Sequence, residues 1–172
     1  MIIILHNIRS LYNVGSIFRT SDAAGVEKIY LCGITPAPID KFGRQQKQLA
    51  KVALGAENNI PWEKAKSTAQ IIKNLQKEGY KILAVEQAKN SVSYKKFATT
   101  CSSKQKLAVL IGNEVDGLPK SILDKADKIL EIPMRGSFVK QRSHPKYTNK
   151  SKESLNASVA FGIVIFSLIK NN

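Results

Sequence analysis

Residues 107–118 read LAVLIGNEVDGL, five uncharged and mostly bulky apolar residues running into a polar turn bracketed by Gly112 and Gly117. A short run of that kind, with no polar alternation, predicts a strand buried on both faces, as in a parallel sheet. The turn then opens at the strand's carboxyl end, where connections in open α/β sheets diverge and leave a crevice lined with free backbone groups. The two glycines permit positive φ or close approach of another backbone, and Pro119 suits the first position of a helix predicted over 119–128. The G-x-x-x-x-G spacing superficially matches a phosphate loop, but Leu118 and Pro119 stand where the lysine and hydroxyl belong, and no G-x-G-x-x-G occurs. A plainer reading also fits, a tight strand-to-helix connection carrying an exposed Glu114.

Working outward, residues 2–5 predict a second buried strand, with 6–13 as the loop at its carboxyl end. Asn13 can cap a helix over 14–24, because its side-chain oxygen can accept from an unpaired N–H of the first turn. Val14, Ile17, Phe18 and Ser21 fall on one face of that helix and are predicted to pack on the sheet. Arg19 falls on the other side, one turn after Gly15, whose missing side chain is read as room for a bulky ligand. A solvated arginine is the ordinary alternative. Residues 28–32 make the next strand, and the β-α-β unit requires a right-handed crossover onto a parallel sheet. Pro36, Pro38 and Gly43 break the segment 35–61, which Lys41, Arg44, Lys47 and Lys51 make basic, either as a phosphate-contacting surface or as a solvated face. Trp62 reads as an anchor, 63–78 as an amphipathic helix with Ala65, Ala69, Ile72 and Leu75 inward, and 80–85 as a strand. Residues 89–105 read as loop with a short helical turn, and 129–132 as the last strand. Residues 154–170 form a helix apolar nearly all round, which predicts a place in a subunit interface as well as the core.

The chain of 172 residues fits one domain, and its 27 basic against 13 acidic residues give a formal charge of +14. Such a charge attracts polyanions, nucleic acid first among them. Residues 135–152 contain no acidic residue and interleave their cations with Phe138, His144 and Tyr147, a pattern suited to single-stranded RNA or to a basic loop without a fixed role. Cys32 and Cys101 lie far apart with no metal-ligand spacing, so neither a disulfide framework nor a metal site is predicted. Neither terminus carries a signal-like or membrane-spanning run, and a reduced, cytoplasmic protein is expected.

Three stretches taken together resemble the SpoU (TrmH-like) branch of the SPOUT RNA methyltransferases. They are NVGSIFRTSDAAGV at 13–26, IGNEVDGL at 111–118 continuing through ILEIPM at 129–134, and SLNASVA at 154–160. Each is weak alone, but they stand in the family's order with sensible spacing, and the match reaches from residue 2 to 169. The resemblance implies an α/β fold, a parallel sheet flanked by helices with a C-terminal deep trefoil knot. It implies S-adenosyl-L-methionine as cofactor, held by loop backbone near Val85, Gly112, Ile132, Met134 and Leu155. The implied reaction is methyl transfer to a ribose 2′-hydroxyl of RNA, tRNA in preference to rRNA, by a homodimer with its site at the interface. Arg19 is placed at the reaction centre, either as a base or as a phosphate clamp that stabilises the developing alkoxide. Asn13, Glu114, Ser154 and Asn156 would complete the polar shell.

The RNA-contact candidates are Arg9, Arg19, Lys41, Arg44, Arg135, Lys140, Arg142 and Lys146. One departure from the family pattern is the long basic insertion at about 137–152, expected to be an RNA-contacting flap on a single SPOUT domain. No separate RNA-recognition domain is expected within the chain, so capture falls to the catalytic domain and its basic loops. A different class of function, a non-catalytic RNA-binding or ribosome-assembly protein that keeps the fold, is the alternative.

Overall fold

The structure is a computed structural model that describes residues 1–102, 104–135 and 154–169. Seven strands, β1 (Ile2–His6), β2 (Lys28–Cys32), β3 (Trp62–Ala65), β4 (Lys81–Val85), β5 (Val92–Ser93), β6 (Leu107–Ile111) and β7 (Lys128–Glu131), form one parallel sheet. Their order is β3-β2-β1-β6-β4-β7-β5. β6 lies between β1 and β4 and every residue of it is buried, as its unbroken apolar run requires.

The helices are α1 (Leu11–Ala23), α2 (Lys47–Ala53), α3 (Ala56–Asn59), α4 (Thr68–Lys77), α5 (Tyr94–Thr100), α6 (Lys120–Leu123) and α7 (Ala157–Leu168). One core packs Ile3, Leu5 and Val109 against Ile17 and Phe18 of α1 and Phe161, Val164 and Ile165 of α7. The other packs Ile4, Ala84 and Leu110 against Ile72 and Leu75 of α4 and Ile122 of α6. Alternate residues of each central strand thus serve opposite layers, the period of two that strand geometry imposes. β1 runs to β2 through α1 on one face, and β6 runs to β7 through α6 on the other. These neighbouring strands therefore send their chains in opposite directions across the sheet, and the switch point lies between them.

Several elements differ from expectation. Ser10, not Asn13, caps α1, its side chain accepting from Asn13 N, so Asn13 is freed inside the first turn. Gly15 makes room for protein rather than ligand: a Cβ there would come 2.6 Å from Leu49 O of α2. The predicted helix 63–78 is in fact the edge strand β3 followed by α4, which Ser67 caps. Segment 35–61 holds an antiparallel bridge between Ile39 and Gln45 together with α2 and α3. Residues 89–105 hold β5 and α5. The helix predicted over 119–128 shrinks to α6, with Pro119 outside it as the N-cap in extended backbone. α7 is apolar throughout, yet the stripe buried within the chain is Phe161, Val164, Ile165 and Leu168, leaving Phe166 54% and Val159 49% exposed. Among the described residues no helix is long and apolar enough to cross a membrane. Cys32 and Cys101 are buried and stand outside any disulfide.

Candidate active site

The turn after β6 is closed by its own backbone. Asn113 and Gly117 form an isolated antiparallel bridge, and the Asn113 side chain accepts from Val115 N at 2.7 Å and Asp116 N at 3.2 Å. A Cβ on Gly112 would come 2.7 Å from the Gly117 carbonyl carbon and from Leu118 Cγ, so the turn can fold back on itself only if residue 112 is glycine. Gly117 has φ of +66°, and a Cβ there would come 2.3 Å from Glu86 Oε2, the oxygen that accepts from Leu118 N at 2.9 Å. The sequence thus demands glycine at both ends for separate steric reasons.

Glu114 is not the free surface carboxylate of the plainer reading. It accepts from Asn13 Nδ2 at 2.7 Å, Arg9 N at 3.2 Å and Ser10 N at 3.3 Å. Asn13 Oδ1 in turn accepts from Asn156 Nδ2 at 3.0 Å, and Asn156 Oδ1 caps α7 by accepting from Ser158 N at 2.9 Å. One chain of side chains therefore ties the β6 turn to the start of α1 and the start of α7. Burial works to raise the Glu114 pKa, but the hydrogen bonds from Asn13 and from the Arg9 and Ser10 backbone outweigh it and leave the carboxyl below its ordinary value.

Beside this chain lies a cleft of about 220 Å³ at the carboxyl ends of β4, β6 and β7. Val85, Gly112, Ile132, Met134 and Leu155 all line it, as do Glu114 and Ser154. Its apolar walls come from Ile111, Leu130, Ala157 and Ala160. Glu86, Glu114, Asp116 and Glu131 also line it, with no lysine or arginine among the described lining residues, although the chain carries +14. Four carboxylates among the described lining residues favour a ligand that carries positive charge.

The other expected residues stand apart. Arg19 is exposed and does not line the cleft, and no described residue hydrogen-bonds or ion-pairs with its guanidinium. Six positions beyond Asn13, it sits about 9 Å along α1 and about 120° around it from that residue. Arg9 contributes its backbone N–H to Glu114, and its side chain is exposed. Lys41, Arg44 and Arg135 are exposed, the first two in the 39–45 hairpin. Lys140, Arg142, Lys146 and the 137–152 insertion lie outside the described residues. Sequence reading missed Glu86, Asn113, Asp116 and Glu131. Only Asn113 had a local signal, an Asn directly after the turn glycine, where its side chain can bond the backbone two residues on.

A parallel sheet with a switch point and an acidic cleft at its strand ends is the arrangement at which open α/β sheets bind small molecules. The family follows from comparison: a model described as the SpoU rRNA Methylase family matches residues 1–139, and the chain belongs to that family. Over 169 residues, 98% of this chain, it is 28% identical to a TrmH family tRNA/rRNA methyltransferase of Staphylococcus haemolyticus. It spans 58% of that relative's length. An AdoMet-bound rRNA methyltransferase from Sinorhizobium meliloti superposes with a TM-score of 0.77 at 28% identity, covering 97% of this chain and 54% of that one. The A. aeolicus TrmH/SpoU tRNA modifying enzyme gives 0.74 at 26% identity, covering 97% and 72%.

Proposed function

We propose that this chain is a methyltransferase that uses S-adenosyl-L-methionine to methylate a ribose 2′-hydroxyl of RNA, tRNA in preference to rRNA. The observation that carries the reading is the acidic cleft in a basic protein. Its carboxylates suit a sulfonium and an amino group, its apolar walls suit an adenine ring, and the strongly basic remainder of the chain suits RNA. Val85, Gly112, Ile132, Met134 and Leu155 would hold the cofactor, which supplies an electrophilic methyl group.

The rest of the chemistry falls to the chain. A ribose hydroxyl is a weak nucleophile, so the chain would have to orient it toward the methyl group and relieve it of its proton. The Glu114–Asn13–Asn156 chain fixes the cleft's rim relative to α1 and α7 and so sets where that hydroxyl enters. Arg19 clamps the neighbouring phosphate and stabilises the developing alkoxide, or takes its proton when the phosphate makes that possible.

Because Arg19 is remote from the cleft of its own chain, we assign it to the cleft of a second copy, in a homodimer with the site at the interface. The exposed Val159 and Phe166 on α7, and Tyr12 on α1, which packs against α7, are apolar surface for such a contact. The C-terminal segment is read as the threaded end of a trefoil knot, and cysteines outside any disulfide suit a cytoplasmic location.

The test is transfer of labelled methyl from S-adenosyl-L-methionine into unmodified total tRNA and, separately, rRNA, with nucleoside mass spectrometry of the product. A 2′-O-methylnucleoside is expected. Binding of cofactor and RNA without transfer to either pool would favour an RNA-binding protein that keeps the fold, and a base-methylated product would contradict the 2′-O assignment.

A further inference from the structure

Phe42 is 68% exposed, the most exposed aromatic ring among the described residues, and the hairpin beneath it is built to keep it there. Asp40 Oδ1 accepts from Phe42 N at 2.8 Å and Arg44 N at 2.9 Å, while its Oδ2 accepts from Arg44 Nε at 2.9 Å. Asp40 N donates to Arg44 O at 2.8 Å, and Gln46 N to Pro38 O at 2.8 Å. The donated N–H of Arg44, ahead of the opposing effect of desolvation, is the main reason the Asp40 carboxyl lies below its ordinary value. A floppy loop could tuck an aromatic ring against the body of the protein, but a turn held by these five hydrogen bonds keeps it outward. Leaving a large apolar side chain in water forgoes the stabilisation its burial would give, and a partner that covers the ring would recover it.

The surroundings of the ring select that partner. Lys41 Nζ and Arg44 Cζ each lie over the Phe42 ring, 4.9 Å from its centroid, and a base would stack there as a long cationic side chain leaves the ring for a phosphate. The hairpin also springs from the carboxyl edge of β2, and its root is tied to the loop that follows β1. Buried Thr35 accepts from Ile8 N at 3.1 Å and donates toward Leu5 O at 3.1 Å and Cys32 O at 2.8 Å. The adjoining residues of that loop, Arg9 and Ser10, are those that hold Glu114 at the cleft. A ligand lying on the hairpin is thereby directed toward the same edge of the sheet as the cleft.

Resting on the reading of this protein as an RNA enzyme, we propose that Phe42 is a stacking platform for an unpaired base of the RNA, with Lys41 and Arg44 on the flanking phosphates. A ring offers its face to any base, and each base stacked on an aromatic residue strengthens single-strand binding by about tenfold or more. The platform would therefore favour an unpaired loop over a duplex without reading a particular sequence.

The experiment compares wild type, Phe42→Ala and Phe42→Trp by fluorescence anisotropy on a short single-stranded RNA and on an abasic strand of equal length. Phe42→Ala is expected to weaken binding of the base-bearing strand about tenfold, and Phe42→Trp to restore it. Neither should change binding of the abasic strand, affinity for S-adenosyl-L-methionine or the thermal midpoint. Unchanged affinity of Phe42→Ala for the base-bearing strand overturns the proposal, as does an equal loss on both strands. A change in self-association without a change in RNA affinity would make the hairpin a protein contact and overturn it as well. If wild type transfers methyl to RNA while Phe42→Ala binds normally, only the platform fails. If wild type binds no RNA, the RNA reading fails with it.

Discussion

The rim of the cleft and the outer face of α1 are represented by residues six positions apart in sequence, Asn13 and Arg19, yet are built on opposite principles. At the rim, Asn13, Glu114 and Asn156 use up one another's hydrogen-bonding capacity and lock three segments together. On the outer face, Arg19 stands in solvent with no described residue to orient it. A preorganised half and an unorganised half are expected when one chain completes the cofactor pocket and the substrate-handling group meets its partners only in a dimer with RNA bound.

Three substitutions separate the halves. Arg19→Ala should reduce methyl transfer by about 10²-fold or more, the usual penalty for losing a positioned charge-stabilising group, while leaving cofactor affinity by calorimetry unchanged. Equal losses in transfer and cofactor binding would put Arg19 in the cofactor pocket. Gly112→Ala should do the reverse. Its Cβ overlaps the backbone of Gly117, and overpacking a fitted turn costs about 1–3 kcal/mol, so affinity for S-adenosyl-L-methionine should fall roughly 10- to 100-fold.

The smallest effect belongs to Asn13→Ala, which removes the donor to Glu114 and the acceptor for Asn156 and should lower stability by about 1–2 kcal/mol at neutral pH. Because the Glu114 pKa is depressed in the folded protein, its contribution is fully present above the usual glutamate range and is lost as pH falls through the folded value. The gap in denaturant stability between wild type and Asn13→Ala should therefore narrow on acidification. A gap that widens in acid would mean that Asn13 does not hold the carboxylate.

What could be read in the sequence follows the strength of the local signal. The strand at Leu107–Ile111 and that at Lys28–Cys32 were legible to the residue, because buried parallel strands are short apolar runs with sharp polar ends. β3 was not, since Trp62–Ala65 is an edge strand with Glu63 and Lys64 exposed, and four residues with two charges look like the start of an amphipathic helix. Ser10 and Asn13 are both competent caps three positions apart, and what decides between them is the demand of Glu114 for the Asn13 amide, a contact 101 residues away in sequence. Gly15 shows the same limit, for its partner is the backbone of α2, in a stretch whose broken pattern hid the helix. The five residues expected around the cofactor meet in one cleft because each lies at or shortly beyond the end of a strand or just before the last helix, and strand ends are easier to find than side-chain contacts.

The most direct test of the division between the halves is subunit complementation. Arg19→Ala and Gly112→Ala proteins, each deficient alone, are mixed, allowed to exchange subunits, and assayed for methyl transfer to RNA. If Arg19 serves the cleft of its partner, the mixed dimer contains one site with an intact cleft and an intact arginine, and activity returns well above that of either parent. If Arg19 serves its own chain, every site in the mixture lacks one or the other; activity no higher than the average of the two parents, with subunit exchange confirmed by mass, would contradict the account.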